Sequence, residues 1–263
     1  MSTHESRTRA TAKAGVLWRT ASTRLPTEWG TFEAMGIERD VWTGGQSVET
    51  ALALVLGDLR QGVPLLRVHS QCVTGEVFGS LRCDCGGQLN LAMQAIAQEG
   101  RGLVIYEYQE GRGIGLMAKL QTYELQDAGI DTVEANHALG FKADLRDFSL
   151  AVAILHDLRI SRVRLLTNNP RKVRLLGDAG IEVVEWLPCE VGPTVHSLAY
   201  LQTKKQKMGH ALRLEARGPD LAPQPRRNSD TKGQDHDRNA GHENKGCIGR
   251  DAHWPIVPSR IER

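Results

Sequence analysis

The chain has 263 residues, of which 40% are hydrophobic, and a net charge of +2 from 33 basic and 31 acidic side chains. This length suits one large or two small soluble domains, and no apolar run approaches the ~20 residues of a transmembrane helix. Residues 211–263 hold ten basic and eight acidic side chains, so the rest of the chain is neutral. That balance argues against nucleic-acid binding, and the lack of an apolar secretion signal leads us to expect a cytoplasmic protein.

The two ends of the chain differ in composition from its middle. Residues 1–24 are polar and predict a flexible lead-in, while an organelle-targeting segment in residues 1–20 is the weaker interpretation. Residues 217–250 are rich in Gly, Pro, Asn, Asp and Arg and lack apolar periodicity. Such a segment buries too little surface to offset its ordering entropy, so residues 211–263 are predicted to be disordered. A single domain is therefore expected over residues 25–210.

Within this domain the sequence predicts strands first and then an alternation of helices and strands. Short strands are expected over residues 25–68, and helical spacing of apolar residues predicts a helix over 89–97 that Gly100 ends. Further helices are expected over residues 116–128, 148–158 and 197–210 and after Pro170, with strands over 102–106, 162–166 and 181–185. We therefore expect an α/β (mixed α+β) fold in which mixed sheets pack against helices.

Three of the five cysteines, Cys72, Cys83 and Cys85, lie within fourteen residues. An odd count without a secretion signal argues against a disulfide framework. Thiolates bind zinc well, and catalytic zinc sites keep three protein ligands where structural sites have four. The spacing therefore favours an open zinc site, with His69 as the nearest rival for a fourth ligand and Cys189 as a distant one. Three incidental cysteines without a metal are the alternative.

Two predicted strand-to-helix turns carry groups that suit phosphate. Residues 109–115 read Gln-Glu-Gly-Arg-Gly-Ile-Gly, in which glycines let backbone N–H groups approach an anion and Arg112 adds a cation. Residues 167–172 offer hydroxyl, amide and ammonium donors, although Asn169 and Pro170 equally suit an ordinary helix start. Residues 144–147 form a charge cluster whose default interpretation is a solvated surface. Alone, each of these patterns is weak.

In their order and spacing, these segments resemble the GTP cyclohydrolase II family. The resemblance covers residues 25–210 and rests on residues 67–75, 80–86, 109–116, 131–136 and 165–170, with residues 204–210 similar to the family's closing Lys-x-x-Lys-x-Gly-His. It implies an enzyme that opens the imidazole ring of GTP and releases formate and diphosphate. The implied product is 2,5-diamino-6-(ribosylamino)-4(3H)-pyrimidinone 5′-phosphate, made in the first step of riboflavin biosynthesis.

The resemblance also implies site residues, cofactors and an assembly. One zinc ion per subunit is expected on Cys72, Cys83 and Cys85, Mg²⁺ is expected with the triphosphate, and a homodimer is expected. The implied catalytic residues are Asp144 as general base, Arg146 as the nucleophile that attacks the α-phosphate, and Tyr123 as the active-site tyrosine. The implied GTP-binding residues are Arg67, Val68, His69, Ser70, Gln71, Gln88, Glu110, Gly111, Arg112, Thr132, Thr167 and Lys172.

Three positions depart from the family's pattern. Gln71 stands where Glu is usual, Tyr108 where Arg is usual and Ala118 where Asn is usual. These departures leave open a variant cyclohydrolase that gives a formylamino product or serves another pathway. A non-enzymatic zinc-binding interaction module is the weaker rival, because it predicts a fourth metal ligand and a basic face.

Overall fold

The computed structural model describes residues 8–11, 16–42 and 46–214, all within a compact unit that spans Met1–Leu221. Eight strands form one sheet in the order β1-β2-β3-β4-β6-β5-β7-β8. The strands are β1 Thr8–Thr11, β2 Val16–Thr27, β3 Gly30–Trp42, β4 Gln46–Leu56, β5 Leu65–Ser70, β6 Gly102–Glu107, β7 Arg162–Leu166 and β8 Glu182–Leu187. In the described part of the chain, no helix combines the length and apolar character that a membrane span requires.

Seven α-helices and one short 3₁₀ helix accompany the sheet in the described residues. The helices are α1 Val73–Glu76, α2 Cys85–Glu99, α3 Leu116–Asp127, α4 Thr132–Ala138, α5 Ser149–Asp157, α6 Pro170–Asp178 and α7 Leu198–Met208, and the 3₁₀ helix is Glu110–Gly113. The sequence does not predict α1 or α4, because four and seven residues are too few to show a helical period. The other helices and strands β5 to β8 lie where the periodicity predicts them, whereas β1 and the start of β2 fall within the predicted lead-in of residues 1–24.

The sheet has an antiparallel half and a parallel half. Strands β1 to β4 and β6 pair antiparallel, whereas β6, β5, β7 and β8 run parallel. The parallel half needs helical crossovers, which α2, α5 and α6 supply. The predicted α/β (mixed α+β) class is confirmed, in the form of one mixed sheet.

Alternation along the strands assigns side chains to the two faces of the sheet. Leu66 and Val68 join the core cluster that α5 and α6 complete, while Leu65 joins the cluster of α2. Because successive strand residues point to opposite faces, Arg67 and His69 share the α2 face with Leu65. The β5 strand thus directs two polar side chains toward the helix that begins with Cys85.

Regular structure extends past both predicted domain boundaries. Strand β2 begins at Val16 rather than near Leu25, and Leu17 is buried in the core. Beyond His210, Ala211 N–H donates to the Asn168 carbonyl at 2.9 Å and Leu212 is buried. The sequence does not predict the start of β2, because much of that strand faces solvent and its polar residues show no apolar pattern. The rest of the predicted tail, residues 215–263, lies outside the described residues.

Candidate active site

A cleft of about 970 Å³, open to solvent, lies where β5, β6 and β7 end. Ligand sites of open α/β sheets form at the carboxyl ends of parallel strands, because the loops there meet. Most of the predicted site residues line this cleft: Arg67, His69, Ser70, Gln71, Cys72, Cys83, Cys85, Gln88, Glu110, Gly111, Arg112, Tyr123, Thr132, Arg146, Thr167 and Lys172.

Two predicted site residues do not line the cleft. The Val68 side chain is buried in the core on the α5 face, and only its carbonyl takes part, by accepting a hydrogen bond from Lys172 Nζ at 2.7 Å. Asp144 is absent from the cleft lining and holds Arg146 instead. Val68 points to the face of β5 opposite that of Arg67 and His69, and both carboxylate oxygens of Asp144 accept hydrogen bonds from Arg146.

The three cysteine sulfurs form one cluster. Their Sγ atoms all lie within 4.8 Å of one another, and Cys72 Sγ is 3.6 Å from Cys83 Sγ. A Cβ added at Gly75 would lie 2.8 Å from Cys83 Sγ, so glycine alone lets the backbone of α1 approach the sulfurs this closely. Three thiol groups without a disulfide are a soft donor set. The chemistry and spacing of this set fit a zinc ion.

The cluster favours ionisation at one cysteine. Hydrogen bonds from Cys83 and Cys85 lower the pKa of Cys72, against the effect of burial, and the Lys119 ammonium lowers it further. The pKa values of Cys83 and Cys85 are raised, first by their hydrogen bonds with Cys72. Cys72 is therefore the first thiolate of the cluster.

Neither rival for a fourth ligand joins the cluster. His69 Nε2 lies 2.7 Å from Glu76 Oε1, and Arg67 Nε lies 3.3 Å from His69 Nδ1. Because a guanidinium only donates, Nδ1 must accept and Nε2–H must donate to Glu76. Burial lowers the pKa of His69 to about 4, with Glu76 opposing, so the ring is neutral at pH 7. Cys189 Sγ faces the Gln88 carbonyl at 3.5 Å.

The carboxylate of Glu110 is already occupied by protein donors. Its Oε1 accepts from Lys119 Nζ at 2.8 Å and from Gly111 N–H at 2.9 Å, and its Oε2 accepts from Val73 N–H at 2.7 Å. Only 7% of Glu110 is exposed. This predicted GTP-binding residue therefore joins α1, α3 and the 3₁₀ helix at the wall of the cleft.

Arg112, two residues further along the same 3₁₀ helix, has no such partners. Gly111 and Arg112 both adopt left-handed backbone conformations with φ of 62°, which is strained for a non-glycine residue. The two terminal nitrogens of Arg112 are buried without a hydrogen-bond partner in the described chain, and the guanidinium lies 5.5 Å from the centre of the Tyr200 ring. A buried guanidinium with unused donors suits an incoming anion.

Asp144 and Arg146 form a two-pronged ion pair. Arg146 donates from Nε to Oδ1 at 2.9 Å and from its terminal nitrogen to Oδ2 at 2.7 Å. Burial would raise the pKa of Asp144, but the bonds from Arg146 outweigh it and lower that pKa. The pKa of Arg146 is raised, since Asp144 outweighs the opposing effect of burial. Both groups are therefore charged in the free protein.

Lys172 and Glu107 are two buried groups near this pair. Lys172 Nζ lies 4.7 Å from the centre of the Phe148 ring, and burial, then Arg67 and Arg146, lower its pKa well below the usual range. Neither carboxylate oxygen of Glu107 accepts a well-formed hydrogen bond from the described residues. Burial raises the pKa of Glu107 to about 7, although Lys172 and Arg146 oppose the shift.

Several further residues line the cleft, although no individual site role is predicted for any of them from the sequence. They are Gln109, Ile114, Lys119, Thr122, Gln126, Asn136, Asn168, Asn169, Tyr200, Lys204, Met208 and His210. Lys204 Nζ donates to Asp84 Oδ1 at 2.9 Å, which fixes the residue between two cysteines of the cluster. Lys204 and His210 belong to the closing motif, and that motif is the signal through which sequence reasoning could have found them.

Comparison with known proteins agrees with this geometry. The sequence profile of the GTP cyclohydrolase II family matches residues 18–188. The GTP cyclohydrolase-2 of Neisseria meningitidis is 53% identical over 193 residues, which cover 73% of this chain and 95% of that protein. The enzyme of the same name from Shewanella amazonensis is 52% identical over 73% of this chain and 92% of its own length. That of Escherichia coli strain HS is 52% identical over 197 residues, which cover 74% of this chain and 98% of its own.

Proposed function

The chain belongs to the GTP cyclohydrolase II family, and from that membership we propose that it hydrolyses GTP. The proposed reaction opens the imidazole ring of guanine and releases formate and diphosphate. It leaves 2,5-diamino-6-(ribosylamino)-4(3H)-pyrimidinone 5′-phosphate, in the first step of riboflavin biosynthesis.

The observation that carries this proposal is the union of two chemistries in one cleft. The cysteine cluster lines it together with the basic side chains of Arg112, Arg146 and Lys172. Ring opening and diphosphate release act on opposite ends of one nucleotide. A soft metal site for one end and a set of cations for the other meet both requirements.

In this proposal Cys72, Cys83 and Cys85 hold one zinc ion, which activates water near neutral pH when it is bound. Tyr123 lines the same part of the cleft. Its pKa is raised, mainly by burial, so its hydroxyl keeps its proton at pH 7 and can donate a hydrogen bond. We assign Tyr123 to orienting the guanine ring where formate is lost.

Arg112 and Lys172 are proposed to bind the triphosphate, which enters with Mg²⁺. Arg146 passes a proton to Asp144 as the phosphate approaches, and the freed nitrogen lone pair attacks the α-phosphorus. The bond from phosphorus to the bridging oxygen breaks, and diphosphate leaves with its electron pair. Water then cleaves the phosphorus–nitrogen bond, restoring Arg146 and leaving the 5′-phosphate. The 2.7 Å contact within the ion pair gives the proton a direct route.

We also propose a homodimer that works in the cytoplasm, as the family resemblance implies. Light scattering of the purified protein at several concentrations tests the assembly. A mass of one chain, 29.0 kDa, at all concentrations would contradict the dimer.

The test of function is the incubation of zinc-loaded protein with GTP and Mg²⁺. Mass spectrometry identifies the pyrimidine, while separate assays measure formate and diphosphate. We expect one formate and one diphosphate for each GTP consumed. A formylamino product without formate would favour the variant cyclohydrolase, and unchanged GTP with folded, metal-loaded protein would reject the proposal.

A further inference from the structure

Lys119 is a buried lysine on α3 whose ammonium faces the cysteine cluster. Its Nζ lies 3.1 Å from Cys72 Sγ, 2.8 Å from Thr74 Oγ1 and 2.8 Å from Glu110 Oε1. An ammonium has three N–H donors, so these contacts use all of them. Only 9% of the side chain is exposed. The position of the charge is therefore fixed by its three acceptors.

The surroundings hold Lys119 between two parts of the site. Thr74 belongs to α1, which begins directly after Cys72, and Glu110 begins the 3₁₀ helix that carries Arg112. A Cβ added at Gly111 would lie 3.1 Å from Lys119 Cβ, so this helix packs tightly against the lysine stem. Within the described part of the chain, no other Lys or Arg makes a hydrogen bond to a sulfur of the cluster.

A charged donor on one thiolate changes what that thiolate gives to a metal. An N–H⁺···S hydrogen bond stabilises the sulfur lone pairs, so the sulfur donates less electron density to a bound ion. Groups that hydrogen-bond to ligands in this way orient the ligands and tune the metal. The brace through Thr74 and Glu110 prevents the ammonium from turning away from Cys72.

We propose that Lys119 is a positioning residue of the metal site, which fixes the Cys72 thiolate and withdraws electron density from it. The bound metal then keeps more positive charge than three unmodified thiolates would allow, and it polarises its reacting ligands more strongly. This inference rests on the zinc site of the proposed function. A purely structural lysine would brace α1 against α3 without altering the electronic state of the sulfur.

Cobalt substitution separates these two roles, because the energy of the sulfur-to-cobalt charge-transfer band reports the sulfur lone pairs directly. Lys119→Met alone would leave Glu110 buried without a counter-ion and could prevent folding. The decisive comparison is therefore between Glu110→Gln and the double variant Glu110→Gln/Lys119→Met, both loaded with Co²⁺. Lys205→Met, an exposed lysine on α7, is the matched control.

We expect the charge-transfer band of the double variant to move to longer wavelength than that of Glu110→Gln, with the control unchanged from wild type. Metal affinity, measured by competition with a chromophoric chelator, should fall about 10- to 100-fold, because the Cys72 thiolate is no longer held in position for the metal. An identical or shorter-wavelength band in the double variant overturns the inference and leaves the proposed zinc site standing. A wild-type protein with no charge-transfer band would overturn both.

Discussion

The basic residues of the cleft differ in how they are paired. We call the cysteine cluster with its neighbours Lys119, Glu110, Lys204 and Asp84 the cluster wall, and we call Arg112, Arg146 and Lys172 the cation wall. On the cluster wall, Lys119 pairs with Glu110 at 2.8 Å and Lys204 pairs with Asp84 at 2.9 Å. On the cation wall, Arg146 pairs with Asp144 and Lys172 donates to the Val68 carbonyl, but the terminal nitrogens of Arg112 are buried without a hydrogen-bond partner in the described chain. Lys119 and these nitrogens of Arg112 are both buried, so the two cations differ in their partners and not in exposure.

This difference separates charged groups that stabilise the structure of the site from charged groups that are available to bind a ligand. A buried charge whose hydrogen bonds are all made supports the geometry around it, and removing one partner is costly. A buried cation with unused donors carries a desolvation cost that an anion can offset. The cluster wall is thus fully paired in the free protein, whereas Arg112 on the cation wall keeps donors for a ligand.

The largest expected effect tests whether the cluster wall acts alone. Cys83→Ser should lose bound metal and formate release altogether, because two thiolates no longer complete the site, while diphosphate release survives on the cation wall. Metal analysis with separate formate and diphosphate assays measures this. Cys189→Ser, a buried cysteine outside the cluster, is the control and should keep its metal. Loss of both products in Cys83→Ser would show that the walls are not independent.

The converse change acts on the cation wall. Arg146→Ala should abolish diphosphate release, since the proposed nucleophile for the α-phosphorus is removed. Zinc content should not change. Arg146→Lys should restore activity only in part, because an ammonium lacks the fork and the acidity of a guanidinium.

The control for this experiment is Arg171→Ala. Arg171 is 44% exposed and lies 3.6 Å from Asp144, so it should matter little. Diphosphate release that is equal in the two alanine variants would contradict the role of Arg146.

The difference between Arg112 and Lys119 can be tested by measuring the free energy of unfolding together with the KM for GTP. Arg112→Gly should raise the KM for GTP about 10- to 100-fold yet leave the free energy of unfolding within about 1 kcal/mol, because glycine relieves the left-handed backbone and no hydrogen bond is lost. Lys119→Met should instead cost about 3–5 kcal/mol, since Glu110 stays buried without its counter-ion. Urea unfolding of both variants decides the matter, and similar losses of stability would remove the distinction between the walls.

A smaller effect concerns Glu107 and the pH dependence of stability. Its pKa of about 7 lies above the usual 4.5, so the folded state binds this proton more tightly than the unfolded state does. The contribution of Glu107 to the unfolding free energy should therefore fall as pH rises from 4.5 to 7, by up to about 3 kcal/mol, and Glu107→Gln should remove that contribution. His69, whose pKa is lowered to about 4, contributes in the opposite direction, so the effect is read as the difference between wild type and Glu107→Gln. The charges of Lys172, Arg146 and Asp147 also shift the pKa of this carboxyl, and none of these residues is substituted in the experiment.

Urea titrations at pH 5 and pH 8 measure the effect as a difference between the two pH values. Glu182→Gln, an exposed carboxyl on β8, should keep the wild-type dependence. A Glu107→Gln variant with the same pH dependence as wild type would show that Glu107 is ionised throughout this range.

The smallest effect is expected from the end of the chain. Removal of residues 218–263 should leave turnover and zinc content unchanged, because this polar segment is predicted to bury little surface. About 193 residues of this chain already match 95% of the Neisseria relative. A clear loss of formate or diphosphate release in the shortened protein would assign the segment a part in one of the two walls.

The sequence predicts the cleft well where local patterns determine it. The strand-to-helix turns after β6 and β7 follow from apolar runs and glycines, and the cysteine spacing predicts the cluster. Contacts between elements that are far apart in the sequence are not predicted by such local patterns. Lys119 meets Cys72 across 47 residues and Lys204 meets Asp84 across 120, and neither contact leaves a periodic trace. Such pairs depend on how α3 and α7 pack, which only the folded chain reveals.

Glu110 shows a second limit of prediction from sequence, which concerns the atoms of a residue that remain free to bind a ligand. The family resemblance places it among the GTP-binding residues, and it does line the cleft. Its carboxylate nevertheless accepts three hydrogen bonds from Lys119, Gly111 and Val73. A motif identifies which residues gather at a site but not which of their atoms remain available, because availability depends on every neighbouring donor.

The antiparallel half of the sheet has a practical consequence for protein engineering. Among the described residues, those that line the cleft all come from position 67 onward, and none comes from the described parts of β1 to β4. Strands in a sheet lie about 4.8 Å apart, which places β1 roughly 24 Å from β5 across the intervening strands. A fluorescent reporter or a partner enzyme fused ahead of β1 would therefore be attached well away from the reacting nucleotide.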